Sequence, residues 1–304
     1  MSYLVLLVYN NDILNTGDTM KNRVIIAFIL LSTFTFAKID IATSILPQAS
    51  LIQAIGGNNV SVVTMIPAGA SPHSYEPKPS QMLSISKAKI YFTIGMEFEN
   101  AWLPRFRSQN KNMMTIDTTK GIKKIKMVAH HDEHEEHGHH TKEKLDPHVW
   151  TTPKNMAIMA TNIRNTLIKI DGKNQVTYNA NYTKLVSSIK QTDAQIKSIL
   201  KATPKGSKFM IFHPAWGYFA KDYNLIQVPI ELEGKEPKAR DLIALISTVK
   251  KEHIKAIFVA PEFSSKSASQ ISQATHVPVI KISNLEYNWQ AYMLNFAKAV
   301  ANHK

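Results

Sequence analysis

A 304-residue chain that is 44% hydrophobic has the length of about two domains and apolar content enough for a substantial core, which excludes a disordered or fibrous protein. Its net charge of +13 comes from lysines spread along the whole sequence, with no dense basic block and no nucleic-acid motif. The charge therefore reads as a solvated surface, and no nucleic-acid partner is expected.

The first informative stretch is Met20-Lys21-Asn22-Arg23, followed by an apolar run over 24–31 and the small-x-small exit Thr35-Phe36-Ala37. A short basic segment, a short apolar run and such an exit make a secretory signal. The run falls well short of the roughly 20 apolar residues of a membrane span; a buried N-terminal strand is the alternative. Residues 1–19 fit no part of a signal, so Met20 is the expected true start, with 1–19 an upstream extension. Cleavage after Ala37 would leave a mature protein beginning at Lys38 in the periplasm. The sequence contains no cysteine. No thioether lipid anchor is therefore expected, and any metal site must use nitrogen and oxygen donors.

Beyond Ala37, short β-rich runs at 38–44, 60–66, 89–95 and 113–117 alternate with helical patterns such as 48–55 and 80–87. That alternation predicts βαβ units and a parallel sheet. The rhythm returns later, with strands at 208–212, 226–230, 254–260 and 277–282 and helices at 239–252, 267–275 and 287–301. Between the blocks lie two helical patterns without strands. Residues 153–170 open on a proline suited to a first turn, and Asp171-Gly172 gives a stop. Residues 175–201 predict a second helix of about 27 residues and about 40 Å, long enough to run across both lobes; a break near Ser187-Ser188 is the alternative. The expected fold class is α/β, with two lobes, each a four-stranded mainly parallel sheet flanked by helices, joined by a long helix. The expected boundaries are 1–37 (extension and signal), 38–173 (N-terminal lobe), 174–201 (linking helix) and 202–304 (C-terminal lobe).

Histidine is the residue type with unusual placement. Residues 127–145 form the low-complexity stretch and read as a mobile surface loop; it holds His130, His131, His134, His137, His139 and His140. His148 stands instead in the compact phrase Asp146-Pro147-His148-Val149-Trp150. His73 lies just beyond the strand at 60–66, and His213 directly follows the strand at 208–212. In open α/β sheets ligands collect outside the carboxyl ends of strands, and imidazole is a common zinc ligand. His253, His276 and His303 lie at helix ends or the terminus, where solvated or capping roles are expected. On spacing alone, His73, His148 and His213 fit an interlobe metal site or three satisfied structural histidines.

The phrases "MIPAGASPHSYEPKPSQM", "DPHVWTTPKNM", "FHPAWGYFAKDYNL" and "ELEGKEPKARDL" resemble the signature segments of the cluster A-I metal-binding receptors of ABC importers, and most of all the zinc-uptake type. The resemblance covers the chain from Lys38 to the last helix. It implies two α/β lobes on a rigid long helix, with one transition metal between them held by His73, His148 and His213. It further implies Zn2+ as the transported ligand, a membrane permease and its ATPase as partners, and a monomeric receptor. A loop rich in histidine and acid before the second ligand is typical of zinc-specific members. Manganese-type relatives commonly carry Glu at the third position, where this chain has His213; three neutral imidazoles suit zinc, whereas manganese favours oxygen.

Two departures from the pattern bear on the fourth ligand. The chain reads Ile282-Ser283-Asn284-Leu285-Glu286 where relatives often supply an Asp, and Pro72 precedes His73 where some zinc receptors have Glu. Water is the expected fourth ligand, with Glu76 and Glu286 as carboxylates that could displace it. The loop histidines are expected to hold zinc only weakly, because ordering such a loop costs about 1–2 kcal/mol per residue. A manganese or iron receptor of the same family is the alternative, and a three-histidine zinc hydrolase a more distant one. No His-Glu-x-x-His helix motif, glycine-flanked serine or thiol supports catalysis, so no enzyme is expected.

Overall fold

The computed structural model describes residues 38–127, 145–232 and 234–302. The apolar runs of the first half form β1 (Ile39–Thr43), β2 (Val60–Thr64), β3 (Ile90–Thr93) and β4 (Met114–Asp117), ordered β2-β1-β3-β4 with every pair parallel. Parallel strands need crossovers, and these are supplied by α1 (Leu46–Gly56), α2 (Pro79–Lys87) and α3 (Glu97–Gln109). After α4 (Pro153–Ile170) and α5 (Gln175–Ile199) the second half repeats the plan. There β5 (Lys208–Ile211), β6 (Ile226–Pro229), β7 (Ile257–Val259) and β8 (Val279–Lys281) pair in the order β6-β5-β7-β8, again all parallel. Its helices are α6 (Gly217–Asp222), α7 (Ala239–Lys251), α8 (Lys266–Thr275) and α9 (Trp289–Asn302). Each sheet thus reverses direction once, between β1 and β3 and between β5 and β7, and such switch points are where open α/β sheets bind ligands.

Burial on both faces explains the nearly continuous apolar runs. Along β5, Phe209 and Ile211 enter one core cluster while Met210 and Phe212 enter another on the opposite face. The larger cluster is continuous from the first sheet (Ile41, Tyr91, Phe92) through α4 and α5 to the second (Ile211, Phe258) and α9 (Phe296). The two sheets therefore share one core.

The long helix is the other link. It runs unbroken through Ser187-Ser188 for 25 residues, about 37 Å at 1.5 Å per residue. Near its start, Asn181 Nδ2 donates to the Ile55 carbonyl of α1 at 3.0 Å and Tyr182 meets Thr161 of α4 at 2.9 Å. Nearer its end, Gln290 of α9 reaches Ser188 and Thr192, and Tyr223 donates to Asp193 at 2.9 Å. None of the described helices is long and apolar enough to cross a membrane.

The structure refines the sequence expectation in several places. The helix α3 fills the interval between the third and fourth expected strands and carries Pro104 in its interior; Trp102 stacks against Phe98 and Phe106 on it. The short α6 lies inside the "FHPAWGYFAKDYNL" phrase. The strand expected over 254–260 narrows to Ile257–Val259, because the Ile254 N–H closes the end of α7 on Val249 O at 3.0 Å. The signal segment over 1–37, the six loop histidines and His303 lie outside the described residues.

Trp150 clamps the two halves together. It is fully buried, its Nε1–H donates to Asn284 O beyond β8 at 2.8 Å, and its own carbonyl accepts Trp289 Nε1–H of α9 at 2.8 Å. Trp150→Ala should cost about 3–5 kcal/mol in metal-free protein. Trp150→Phe, which orphans only the Asn284 carbonyl, should cost about 1–3 kcal/mol. Urea denaturation checks both, and losses below about 0.5 kcal/mol would show that this clamp contributes little.

Candidate metal centre

The residues at the carboxyl ends of strands from both sheets converge on one small cavity. His73 arrives from the loop after β2, Met96 from the loop after β3, His213 from the end of β5, Glu262 from the turn after β7, and Asn284 from beyond β8. His148 and Trp150 enter from the segment before α4.

Each imidazole is held through Nδ1 by a carboxylate. His148 Nδ1 lies 2.7 Å from Asp146 Oδ1, His213 Nδ1 lies 2.8 Å from Glu231 Oε1, and His73 Nδ1 lies 3.0 Å from Glu97 Oε2. A carboxylate on Nδ1 fixes the tautomer with its proton there and leaves Nε2 as the basic nitrogen, the usual support of a metal-ligating histidine. The Nε2 atoms of His148 and His213 face each other at 3.2 Å. The ring of His73 stands 5.1 Å from that of His213, centre to centre.

The three differ in access. The side chains of His148 and His213 are 6% and 7% exposed, that of His73 is 40% exposed. Two rings are thus embedded, and the third sits on the rim. Among the described residues no three imidazoles or carboxylates already stand as a finished metal polyhedron.

Local structure explains the precision of the buried pair. The Asp146 Oδ1 that holds His148 Nδ1 also accepts the His148 backbone N–H at 2.8 Å, while the Asp146 carbonyl accepts the Tyr218 hydroxyl at 2.8 Å. Burial and the Asp146 charge push Tyr218 up to about 12, so it stays a donor. Any Cβ on Gly217 would lie 2.7 Å from Asp146 Oδ2; only glycine lets α6 come this close. His213 is stacked on Phe263 with centroids 4.7 Å apart. Burial pulls the His213 imidazole below its ordinary range and outweighs the raising effect of Glu231, favouring the neutral form a metal needs.

The loop leading into α3, whose first residue is Glu97, is set by a buried carboxylate. Glu99 accepts the backbone N–H groups of Ile94 at 2.8 Å and Gly95 at 2.7 Å, and Ser44 Oγ, itself 2.9 Å from Tyr91 Oη, donates to it as well. Burial raises the Glu99 carboxyl despite these donors.

Other expectations meet the structure as follows. His253 and His276 adopt left-handed backbone at φ 52° and 61°, and His276 caps α8 through its N–H to Ser272 O at 2.7 Å. Glu76 and Glu286 are exposed and do not line the cavity, whereas Pro72 and Asn284 do. Sequence reasoning assigned no role to Glu97, Glu231, Glu262 or Phe263. Glu262 carries the signal that singled out His213, a polar residue just past a strand's carboxyl end. Its Oε2 is buried without a hydrogen-bond partner, and burial pushes its carboxyl up.

Comparison with known proteins follows the same outline. The family model of the zinc-uptake complex component A, periplasmic, matches residues 41–302. A crystal structure of ZnuA superposes with a TM-score of 0.81 at 35% identity, over 88% of this chain and 99% of that one. The zinc-binding protein AdcA of Streptococcus pyogenes serotype M3 is 28% identical over 88% of this chain; the chain spans 56% of that protein's length. The manganese ABC transporter substrate-binding lipoprotein scaA of Streptococcus gordonii is 26% identical over 76% of this chain and 74% of its own. With a family match running from β1 to α9 and a fold shared with ZnuA, the chain belongs to the periplasmic zinc-uptake component A family.

Proposed function

We propose that this protein is the extracytoplasmic zinc receptor of an ABC importer, binding Zn2+ through Nε2 of His73, His148 and His213 and passing it to a membrane permease coupled to an ATPase. The observation that carries this reading is the Nε2 pair 3.2 Å apart, with both Nδ1 atoms committed to carboxylates. With the protons on Nδ1, two lone pairs face each other, and a proton or a metal cation between them relieves their repulsion. Two nitrogens of a zinc tetrahedron with bonds of about 2.0–2.1 Å lie about 3.3 Å apart, close to the separation present.

Zinc is preferred over manganese on donor chemistry. All three proposed protein ligands are imidazoles, and divalent zinc outcompetes manganese at nitrogen-rich sites. A manganese reading has support in the manganese-named relative, but that metal favours more oxygen than three histidines offer. The relatives' names are those of a zinc-binding protein and of a substrate-binding lipoprotein of an ABC transporter, and no catalytic reading is needed for a metal that is cargo.

The exposure gradient suggests the order of events. The ion first meets His73 on the rim, then seats between His148 and His213, and leaves by the reverse path when the permease draws the His73 loop away. A metal that binds the closed arrangement more tightly shifts the population toward it. The shared core and the unbroken α5 limit that change to loop adjustment and small tilts. The proposed boundaries of the lobes and linking helix remain 38–173, 174–201 and 202–304. A signal over 1–37 and a monomeric state complete the proposal.

Alanine at His73, His148 or His213 should each weaken zinc binding by more than the roughly 10–100-fold that accompanies loss of an outer-sphere partner, while alanine at His253 or His276 should change it little. Wild-type protein with free zinc a thousandfold above Kd should gain about 4 kcal/mol of stability, visible as a rise in Tm. Persistence of that rise in His213→Ala would remove the basis of the assignment. The six histidines between His130 and His140 are proposed as a weak zinc-gathering segment. Deleting residues 129–142 should abolish weak zinc equivalents in calorimetry and leave one tight site; disappearance of the tight site would mean that the segment supplies an essential ligand.

A further inference from the structure

The sequence leaves the fourth coordination position to water. The geometry points to Glu262 as the fourth protein ligand, closing the site as three imidazoles and one carboxylate; this inference rests on the three-histidine reading above.

Four observations converge on it. Glu262 lines the same cavity as His73, His148 and His213, and it is the carboxylate among the described residues that line it. The other acids of the centre, Glu97, Asp146 and Glu231, are each spent on an Nδ1. Glu262 Oε2 is buried with no hydrogen-bond partner, a state that is costly for a carboxylate oxygen unless something else satisfies it. The fold also fixes where it stands. Glu262 follows β7 as His213 follows β5, so the two residues flank the switch point of the second sheet. The turn is pinned by Phe263 N–H to Ala260 O at 3.0 Å and by Phe263 stacking on His213, which ties the carboxylate to the imidazole it would share a metal with.

The chemistry fits. A carboxylate oxygen beside three imidazole nitrogens completes the nitrogen-oxygen tetrahedron that zinc accepts. Sites with four protein ligands hold their metal without an exchangeable water, whereas an open fourth position is the mark of catalytic zinc. A closed set therefore matches a carrier. It also supplies, from the turn after β7, the carboxylate that neither Pro72 nor Ser283 can provide.

The test uses the full mature chain with zinc and, as a spectroscopic probe, Co(II). Glu262→Gln and Glu262→Ala should each keep one metal equivalent while losing roughly 10- to 100-fold or more in zinc affinity by chelator competition. The visible spectrum of the Co(II)-loaded wild type should not respond to azide, whereas that of Glu262→Ala, with its position opened, should shift. Metal-free Tm should be equal or higher in the variants, since an unpartnered buried carboxylate is removed; a lower value would indicate a structural role. Should the alanine variant not fold, the glutamine variant carries the affinity and Tm comparison. Unchanged zinc affinity in the variants, or an azide response already present in the wild type, would overturn the assignment of Glu262. His213→Ala, measured alongside, separates the two claims: retained tight zinc there defeats the three-histidine reading itself, while its loss with unchanged Glu262 variants defeats only the fourth ligand.

Discussion

Two imidazole nitrogens brought within 3.2 Å of each other, each with its opposite nitrogen tied to a carboxylate, set the terms for the rest of this molecule. Such a pair is electrostatically unfinished without a cation. Holding it requires rigid placement of both rings from segments 65 residues apart. The surrounding structure provides that placement. Asp146 grips His148 by ring and backbone, Gly217 lets α6 approach Asp146, and Phe263 lies flat on His213. The carboxylates do more than orient the rings: they raise the basicity of the opposite nitrogen toward a metal.

The fold makes this possible by doubling one plan. Two parallel sheets with the same strand order direct their carboxyl ends toward a single cavity, and a helix of 25 residues with a core shared across it keeps them in register. A hinge that swung the halves widely apart would tear that core and the Trp150 hydrogen bonds with it. Adjustment is left to the rim, where His73 and its partner Glu97 are both substantially exposed. Two embedded imidazoles and a third on an exposed rim would suit the proposed capture and release of an ion.

Much of this was legible in the sequence, for identifiable reasons. Short apolar runs alternating with helical patterns announced both sheets, and proline at the start with Asp171-Gly172 at the end bounded α4 at Pro153–Ile170. His148 and His213 stood out because proline and tryptophan make their surroundings locally distinctive. Asp146, two residues from His148, was legible as its support, but Glu97 and Glu231 were not, since they meet their histidines across 24 and 18 residues of chain, a separation that no local pattern encodes. Glu262 was hidden differently: its position past a strand end is visible, but only the unpartnered oxygen in the folded protein distinguishes it from an ordinary surface acid. The bounds of α3 were not legible, because Pro104 breaks the helical pattern inside it.

The central claim is that one zinc ion sits where His73, His148 and His213 converge. Zinc K-edge X-ray absorption on protein carrying a single metal equivalent tests it most directly, because imidazole rings leave a distinctive outer-shell scattering pattern. Three imidazole nitrogens at about 2.0–2.1 Å with one oxygen donor is the result this account predicts. Two or fewer imidazoles, or a shell dominated by oxygen, would contradict it.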